Sequence, residues 1–454
     1  MVINVVGLTR PLIGQHTPNL QRLLSVGSCR LITPQLPAVT CAAQATYLTG
    51  TSPREHGIVG NGWFFKDTSE VRLWQQSDAL VQRPRVWDVA RKIDPAFTCA
   101  NCFWWYAMYS SADVTVTPRP QYRADGRKLP DVWTHPPTLR DELQKKFGQF
   151  PLFKFWGPMS SIESSTWITS AAIEVSEQFK PTLNLVYLPH LDYCLQKFGP
   201  GAKEIDAELG LIDKEVGRLL KHAATENIRV IVLSEYGITR VSKPIHINRA
   251  LRNAGLLTLR IEAGRELLDC AASAAFALAD HQIAHVYIND VSRTADVLKA
   301  LSTIDGINNI YSANERDAIG LNHERAGDVI VVSQPDAWFT YYWWLDDTVA
   351  PDYARTVDIH RKPGYDPAEL FLDPSISLVK LKIAAKLLKR KLGLRALLDV
   401  IPLDATLIKG SHGAMPLSDD AMPVLMSSEP AKDSSPLRAT DVMNVMLGHV
   451  FDLA

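Results

Sequence analysis

Short runs of apolar, β-branched residues recur along the chain, and they constrain the fold more than any other feature. They are VINVV (2–6), NLVYL (184–188), IRVIVL (228–233) and DVIVV (328–332). Between them lie segments such as AKEIDAELGLIDKEVGRLLKHA (202–223), with apolar residues at i, i+3, i+4 and i+7. Strands apolar on both faces, alternating with amphipathic helices, predict an α/β protein whose mostly parallel central sheet is covered by helices on both faces. At 454 residues the chain exceeds one small core, so one large domain with insertions, or two lobes, is expected. Two stretches break the rhythm. Residues 101–133 are rich in aromatics, Pro and Arg and read as a lobe or lid rather than a sheet unit. Residues 377–398 (SLVKLKIAAKLLKRKLGLRALL) read as a basic amphipathic helix. Its expected arrangement is a solvated lysine face over a buried leucine face; contact with an anionic substrate or a membrane surface is the alternative.

Charge excludes some classes. The formal net charge is -1, so the overall balance points to no nucleic acid polymer. Six cysteines are too few for a disulfide framework at this length, and Cys99 and Cys102 form an isolated CxxC that reads as a buried, inert pair. Met1 leads directly into VINVVGL without a basic leader, and no apolar run reaches about 18 residues. A cytoplasmic chain with no membrane span is expected.

In parallel α/β sheets, ligands collect beyond the carboxyl ends of the strands. Thr40 follows LPAV, Asp192 lies just past 184–188, Glu235 and Tyr236 directly follow 228–233, and His412 sits in the Gly-flanked loop GSHG. Carboxylate, imidazole and hydroxyl together suit a cation that activates a hydroxyl and holds charge on a phosphoryl oxygen. Each also has an ordinary structural role. Thr40 reads equally as the cap of a helix starting near Cys41, Asp192 as a turn residue, Glu235 as a surface charge, and His412 as a satisfied loop histidine.

The ordered motifs TPNLQRLLSVG, LPAVTCAAQATYLTGTSPREHGIVGN, FWWYAMYSSADVTVTPRPQYRADGRK, SSTWI, YLPHLDY, SEYGI and GSHG resemble the alkaline phosphatase superfamily. More narrowly, the set is similar to the nucleotide pyrophosphatase/phosphodiesterase branch, including phosphonoacetate hydrolases. The resemblance implies an alkaline-phosphatase-like catalytic domain over 1–454, with cap or insert segments at 101–133 and about 255–400. It implies two metal ions around a Thr nucleophile, here Thr40, and a phosphate-binding Asn, here Asn61. Asp192 and His412 match two ligands of one metal site. A Thr at a helix start could then both cap the helix and present its oxygen to a metal.

The sequence departs from that pattern at four positions. An expected aspartate before the first-strand Gly is Val6, an expected His is Gln196, and an expected Asp-His pair is Glu235-Tyr236. A donor set richer in oxygen shifts preference from Zn toward Mn or Mg and allows one ion or two. The expected function is metal-dependent hydrolysis of a phosphodiester, pyrophosphate or phosphonate. Thr40 attacks phosphorus (for a phosphonate, water attacks carbon), and Thr40, Asp192, Glu235, His412, Gln196 and Tyr236 are the candidate ligands. Trp63, His246, His360 and Arg361 are candidates for receiving an anionic small molecule, with Phe64, Phe65, Lys362 and Tyr365 nearby in sequence. The alternative is a non-catalytic binder of an anionic metabolite with a degenerate metal site; phosphate transfer or isomerisation is a third possibility. The sequence sets no oligomeric state.

Overall fold

The computed structural model describes residues 1–124, 126–430, 433 and 435–452. The strands that matter for the site are β1 (Val2–Val5), β2 (Ser28–Thr33), β3 (Cys99–Cys102), β4 (Val114–Pro118), β5 (Val132–His135), β6 (Leu183–Leu188) and β7 (Ile231–Leu233). They continue with β8 (Ala275–Asp280), β9 (Ile283–Ile288), β10 (Ile307–Ser312), β11 (Val329–Ser333), β12 (Val424–Ser427) and β13 (Leu437–Arg438). The main sheet has nine strands in the order β13-β2-β12-β7-β1-β6-β3-β4-β5. Its centre is parallel: Val2 pairs with Leu185 of β6 and Ile231 of β7, and β6 continues parallel to β3. β12 runs antiparallel to β7 and β2, and β5 antiparallel to β4. The carboxyl ends of β1, β6 and β7 therefore share one edge. Gly7, at φ +80°, turns the chain sharply as it leaves β1.

A second sheet, β8-β9-β11-β10, is antiparallel throughout. DVIVV belongs here and not in the parallel sheet, which corrects the sequence expectation. The reason lies in its packing. Val329 and Val331 face one apolar core, while Ile330 and Val332 face another. A strand buried on both faces reads as continuously apolar whichever sheet it joins.

Residues 101–133 likewise differ from the lobe expected. Their flanking and internal strands β3, β4 and β5 form one side of the main sheet, and Trp104 and Tyr106 pack inside the β3–β4 connection. Asp125 of that stretch lies outside the described residues. All six cysteines are free thiols, with Cys99 and Cys102 buried in β3. Among the described residues, no helix is long and apolar enough to cross a membrane.

Three helices frame the site. They are α1 (Thr40–Thr49), α2 (His190–Phe198) and α3 (Glu204–Thr225). Every residue of α1 is buried. Its alanines allow this: Cys41, Ala42 and Ala45 pack with Ile283, Ile330 and Val332 of the second sheet, whereas Tyr47 and Leu48 join the core of the main sheet. The small-residue run after Thr40 is therefore what lets one helix sit between two sheets.

Candidate active site

Thr40 is the first residue of α1. The capping position belongs to Val39, with no side-chain cap bond, so the expected capping role of Thr40 is not found. Its hydroxyl instead lies 2.9 Å from the Tyr236 phenol oxygen. Tyr236 donates to Asp192 Oδ1 at 3.2 Å, and Gln196 Nε2 donates to Asp192 Oδ2 at 2.8 Å. Tyr365 donates to Gln196 Oε1 at 2.8 Å. The loop after β7 and the α2 helix after β6 thus bring Thr40, Asp192, Gln196 and Tyr236 into one chain of hydrogen bonds.

His412 completes it. The ring stacks on Tyr236 with centroids 3.6 Å apart and planes 6° from parallel. Nδ1 faces the Ala38 carbonyl oxygen at 2.8 Å, which can only accept, so Nδ1 carries the proton. Burial holds this imidazole well below its ordinary pKa, so it is neutral. A neutral ring protonated at Nδ1 has a bare Nε2. That nitrogen is buried without a hydrogen-bond partner, 3.7 Å from Asp192 Oδ1. Burial lifts the Asp192 carboxyl to about 7, against the hydrogen bonds from Tyr236 and Gln196.

The other half of the site is built differently. Glu235 is fully buried, and its Oε1 accepts from Asn4 Nδ2 and Gln44 Nε2, both at 2.6 Å. Gln44 is held in turn by the Trp105 backbone N–H, which donates to its Oε1 at 2.7 Å. Glu235 Oε2 has no partner. Burial raises the Glu235 carboxyl to about 8 despite the two amides. Val6 offers no ligand atom, so this half presents one amide-bound carboxyl and no imidazole. The donor set fits a cation at Asp192 and His412 and does not fit one at Glu235.

Sequence reasoning missed two residues that matter here. Asp280, at the end of β8, accepts from the Asn61 backbone N–H at 2.9 Å, from Asn61 Nδ2 at 3.0 Å and from His281 Nδ1 at 2.7 Å. His281 stacks on Tyr365 (3.6 Å) and packs at a 35° tilt against His412 (3.8 Å), so Tyr236, His412, His281 and Tyr365 form a continuous column of rings. Its Nε2 is also buried without a partner. The available signal was the polar Asp280-His281-Gln282 closing the apolar run AFALA (275–279), obscured because 255–400 read as a cap. Asn61 Oδ1 accepts from the Cys41 N–H at 3.0 Å, so Asn61, not Thr40, satisfies the start of α1.

The substrate-binding candidates are scattered. Trp63 is buried against Phe65 with Arg325 over its ring, which is packing. His246 bonds Thr340 Oγ1 at 2.8 Å and lines a groove with Arg249 and Asp404, away from Thr40. His360 lies 3.4 Å from the Leu73 carbonyl oxygen, and exposed Arg361 pairs with Asp358. Lys362 is corrected outright: it is buried between Asp366 and Glu369, at 2.7 Å from each, and its charge is spent there. A cavity of about 350 Å³ opens against the site, lined by Ala38, Tyr236, Gly237, Gln282 and Tyr311 among others.

One trio of donors among the described residues already lies within 4.8 Å: His190, Cys194 and Glu208. His190 and Cys194 are offset by two residues from Asp192 and Gln196, about 200° around α2, so this trio lies on another face of the helix. His190 Nε2 is hydrogen-bonded to Glu208 Oε2 at 2.7 Å.

A model of the type I phosphodiesterase/nucleotide pyrophosphatase family matches residues 1–366. An uncharacterized pyrophosphatase/phosphodiesterase of Schizosaccharomyces pombe is 24% identical over 232 residues, 50% of this chain and 41% of that protein. Among solved structures, human ectonucleotide pyrophosphatase/phosphodiesterase 5 aligns with a TM-score of 0.59 at 14% identity, covering 100% of this chain and 94% of that one. Phosphonoacetate hydrolase from Sinorhizobium meliloti 1021, bound to phosphonoformate, aligns at 0.62 and 12%, covering 99% and 95%. These likenesses establish the fold.

Proposed function

The chain belongs to the type I phosphodiesterase/nucleotide pyrophosphatase family, and from that premise we propose a metal-dependent hydrolase of a small phosphodiester, pyrophosphate or phosphonate, with Thr40 as nucleophile. The observation that carries this reading is the facing of two acceptors. The bare Nε2 of His412 lies 3.7 Å from Asp192 Oδ1, with no hydrogen bond joining them. A cation resolves that arrangement. The proposed holders are Asp192 and His412, joined by His281, whose Asp280-bound Nδ1 leaves its other nitrogen free in the way ligand histidines are oriented. These three donors are not among the groups of the described residues that already lie within 4.8 Å of one another. One divalent ion is proposed rather than two, because the Glu235 half lacks a matching set. When bound, the ion supplies charge stabilisation at a phosphoryl oxygen.

The protein's own groups do the rest. For a phosphodiester or pyrophosphate, Thr40 Oγ forms the bond to phosphorus while the bond to the leaving oxygen breaks; for a phosphonate the P–C bond breaks instead and the carbon takes up the proton. The Thr40 hydroxyl is held 2.9 Å from the Tyr236 oxygen, which donates to Asp192 at 3.2 Å, and the Thr40 proton ends on the departing atom of the leaving group. Water then hydrolyses the phosphothreonine. Asn61, positioned by Asp280, is the donor proposed to meet the phosphoryl group. A small anionic ligand is in keeping with the AMP complex of murine ectonucleotide pyrophosphatase/phosphodiesterase 5 and with the phosphonoformate complex, and the cavity beside Tyr236 is its proposed entry. One observation favours the non-catalytic binder as second reading: the Asn61 amide is already occupied by the Asp280 carboxylate.

Elemental mass spectrometry of the purified, untagged protein, paired with turnover of bis(4-nitrophenyl) phosphate and phosphonoacetate, tests the choice. About one equivalent of metal and turnover lost in Thr40→Ala are expected. No metal after reconstitution and no turnover would overturn the hydrolase and leave the binder.

A further inference from the structure

The helix α4 (Val379–Lys391) does not bury its leucines, contrary to the sequence expectation. Leu378, Leu381, Leu388 and Leu392 are 73%, 63%, 58% and 69% exposed. At 100° per residue they fall, with Ala385, in one stripe about 80° wide. The side turned to the protein is carried instead by Val379 and Ile383, which pack against Ala368, Val400 and Ile401. The helix stops at Gly393, at φ +80°, where the Leu394 N–H bonds back to the Lys389 carbonyl at 3.0 Å. Beyond that turn Leu394 and Leu397 are exposed as well.

We propose that α4 and its following turn form a docking surface for an anionic lipid bilayer. Singly exposed leucines are ordinary, whereas a contiguous stripe marks an interaction surface. The charges decide the partner. Lys382 and Lys389 flank the stripe on one side, Lys380 and Lys391 on the other, and no acidic residue occurs from 375 to 398. Lys382 and Lys386 reach Asp399, while Lys380, Lys389, Lys391 and Arg395 make no ion pair among the described residues. A leucine stripe bordered by lysines matches a helix lying in a membrane interface, its ammonium groups at the headgroups. A second copy would set these lysines against their own equivalents, which disfavours a homodimer. The helix is too short to span a bilayer. Docking would also lie close to the chemistry, because Ala368 under α4 is three residues from Tyr365, which bonds Gln196.

Co-sedimentation of the full chain with vesicles tests this, using pure phosphatidylcholine and a mixture containing phosphatidylglycerol. Binding is expected on the mixed vesicles. The triple variant Lys380→Gln/Lys389→Gln/Lys391→Gln should weaken it on the order of 100-fold, about fivefold for each lysine. Leu381→Glu/Leu388→Glu should abolish it with an unchanged melting temperature, because both positions are exposed. Equal binding by the wild type and the leucine variant, or binding by neither, overturns the proposal. So does a wild-type dimer, seen by light scattering, that the leucine variant loses.

Discussion

The two halves of the site occupy matching places at the sheet's carboxyl edge, yet they are opposites in chemistry. Around Asp192, two neutral imidazoles present bare nitrogens and a carboxyl titrates near 7. Around Glu235, two amides bond one carboxyl oxygen, the other oxygen has no partner, and burial carries the acid to about 8. The first half has unsatisfied acceptors that a cation would satisfy. The second leaves one buried oxygen, Glu235 Oε2, without a partner, but it has no imidazole to complete a donor set. The lesson concerns substitution: exchanging a ligand for another polar residue preserves a binding site only if the neighbouring donors that complete the set remain beside it.

The largest test of this contrast removes the group that both halves flank. Thr40→Ala should reduce turnover by about 10⁴-fold or more, since a lost nucleophile has no substitute. Thr40→Ser should retain activity within about tenfold, measured on the same substrate. Next, the halves can be separated by metal content. His412→Ala or Asp192→Asn should weaken metal binding by about 100-fold or more, while Glu235→Gln leaves it within about threefold. Equal loss in all three, read by equilibrium dialysis, would mean that both halves hold the ion. The same experiment with His281→Gln separates a ligand from a packed ring, because a merely stacked His281 leaves affinity unchanged.

A smaller effect concerns stability. Both carboxyls titrate in the native state at about 7 and about 8, above the ordinary carboxylate range near 4. Between pH ~4 and ~8 the native metal-free protein thus holds protons that the unfolded chain has released. Its stability should fall as pH rises through that window and level off above it. Melting temperatures of metal-free protein at pH 5 and 8 should differ by several degrees, with Glu235→Gln removing a large part of the difference. A flat profile in the wild type would mean that these carboxyls are ionised in the native state.

Much of the fold was legible. VINVV, NLVYL and IRVIVL are adjacent parallel strands, and residues 204–225 form the helix their periodicity announces. The meeting of Thr40, Asp192, Tyr236 and His412 was expected from their places in strand-end loops, whereas Gln196 entered only through the family resemblance. Their roles were not expected. Thr40 yields the helix start to Asn61, Lys362 turns inward, and the leucines of α4 face outward.

Local pattern therefore determined which segments form strands and helices and which polar residues stand at their ends, because those follow from periods of 2 and 3.6 and from chain direction. Which sheet an apolar run joins, which amides bond the Glu235 carboxyl, and where a second imidazole comes from were decided only by the tertiary structure. Those depend on contacts between residues far apart in sequence, such as Asn4 with Glu235 and His281 with His412, and no local periodicity carries that information.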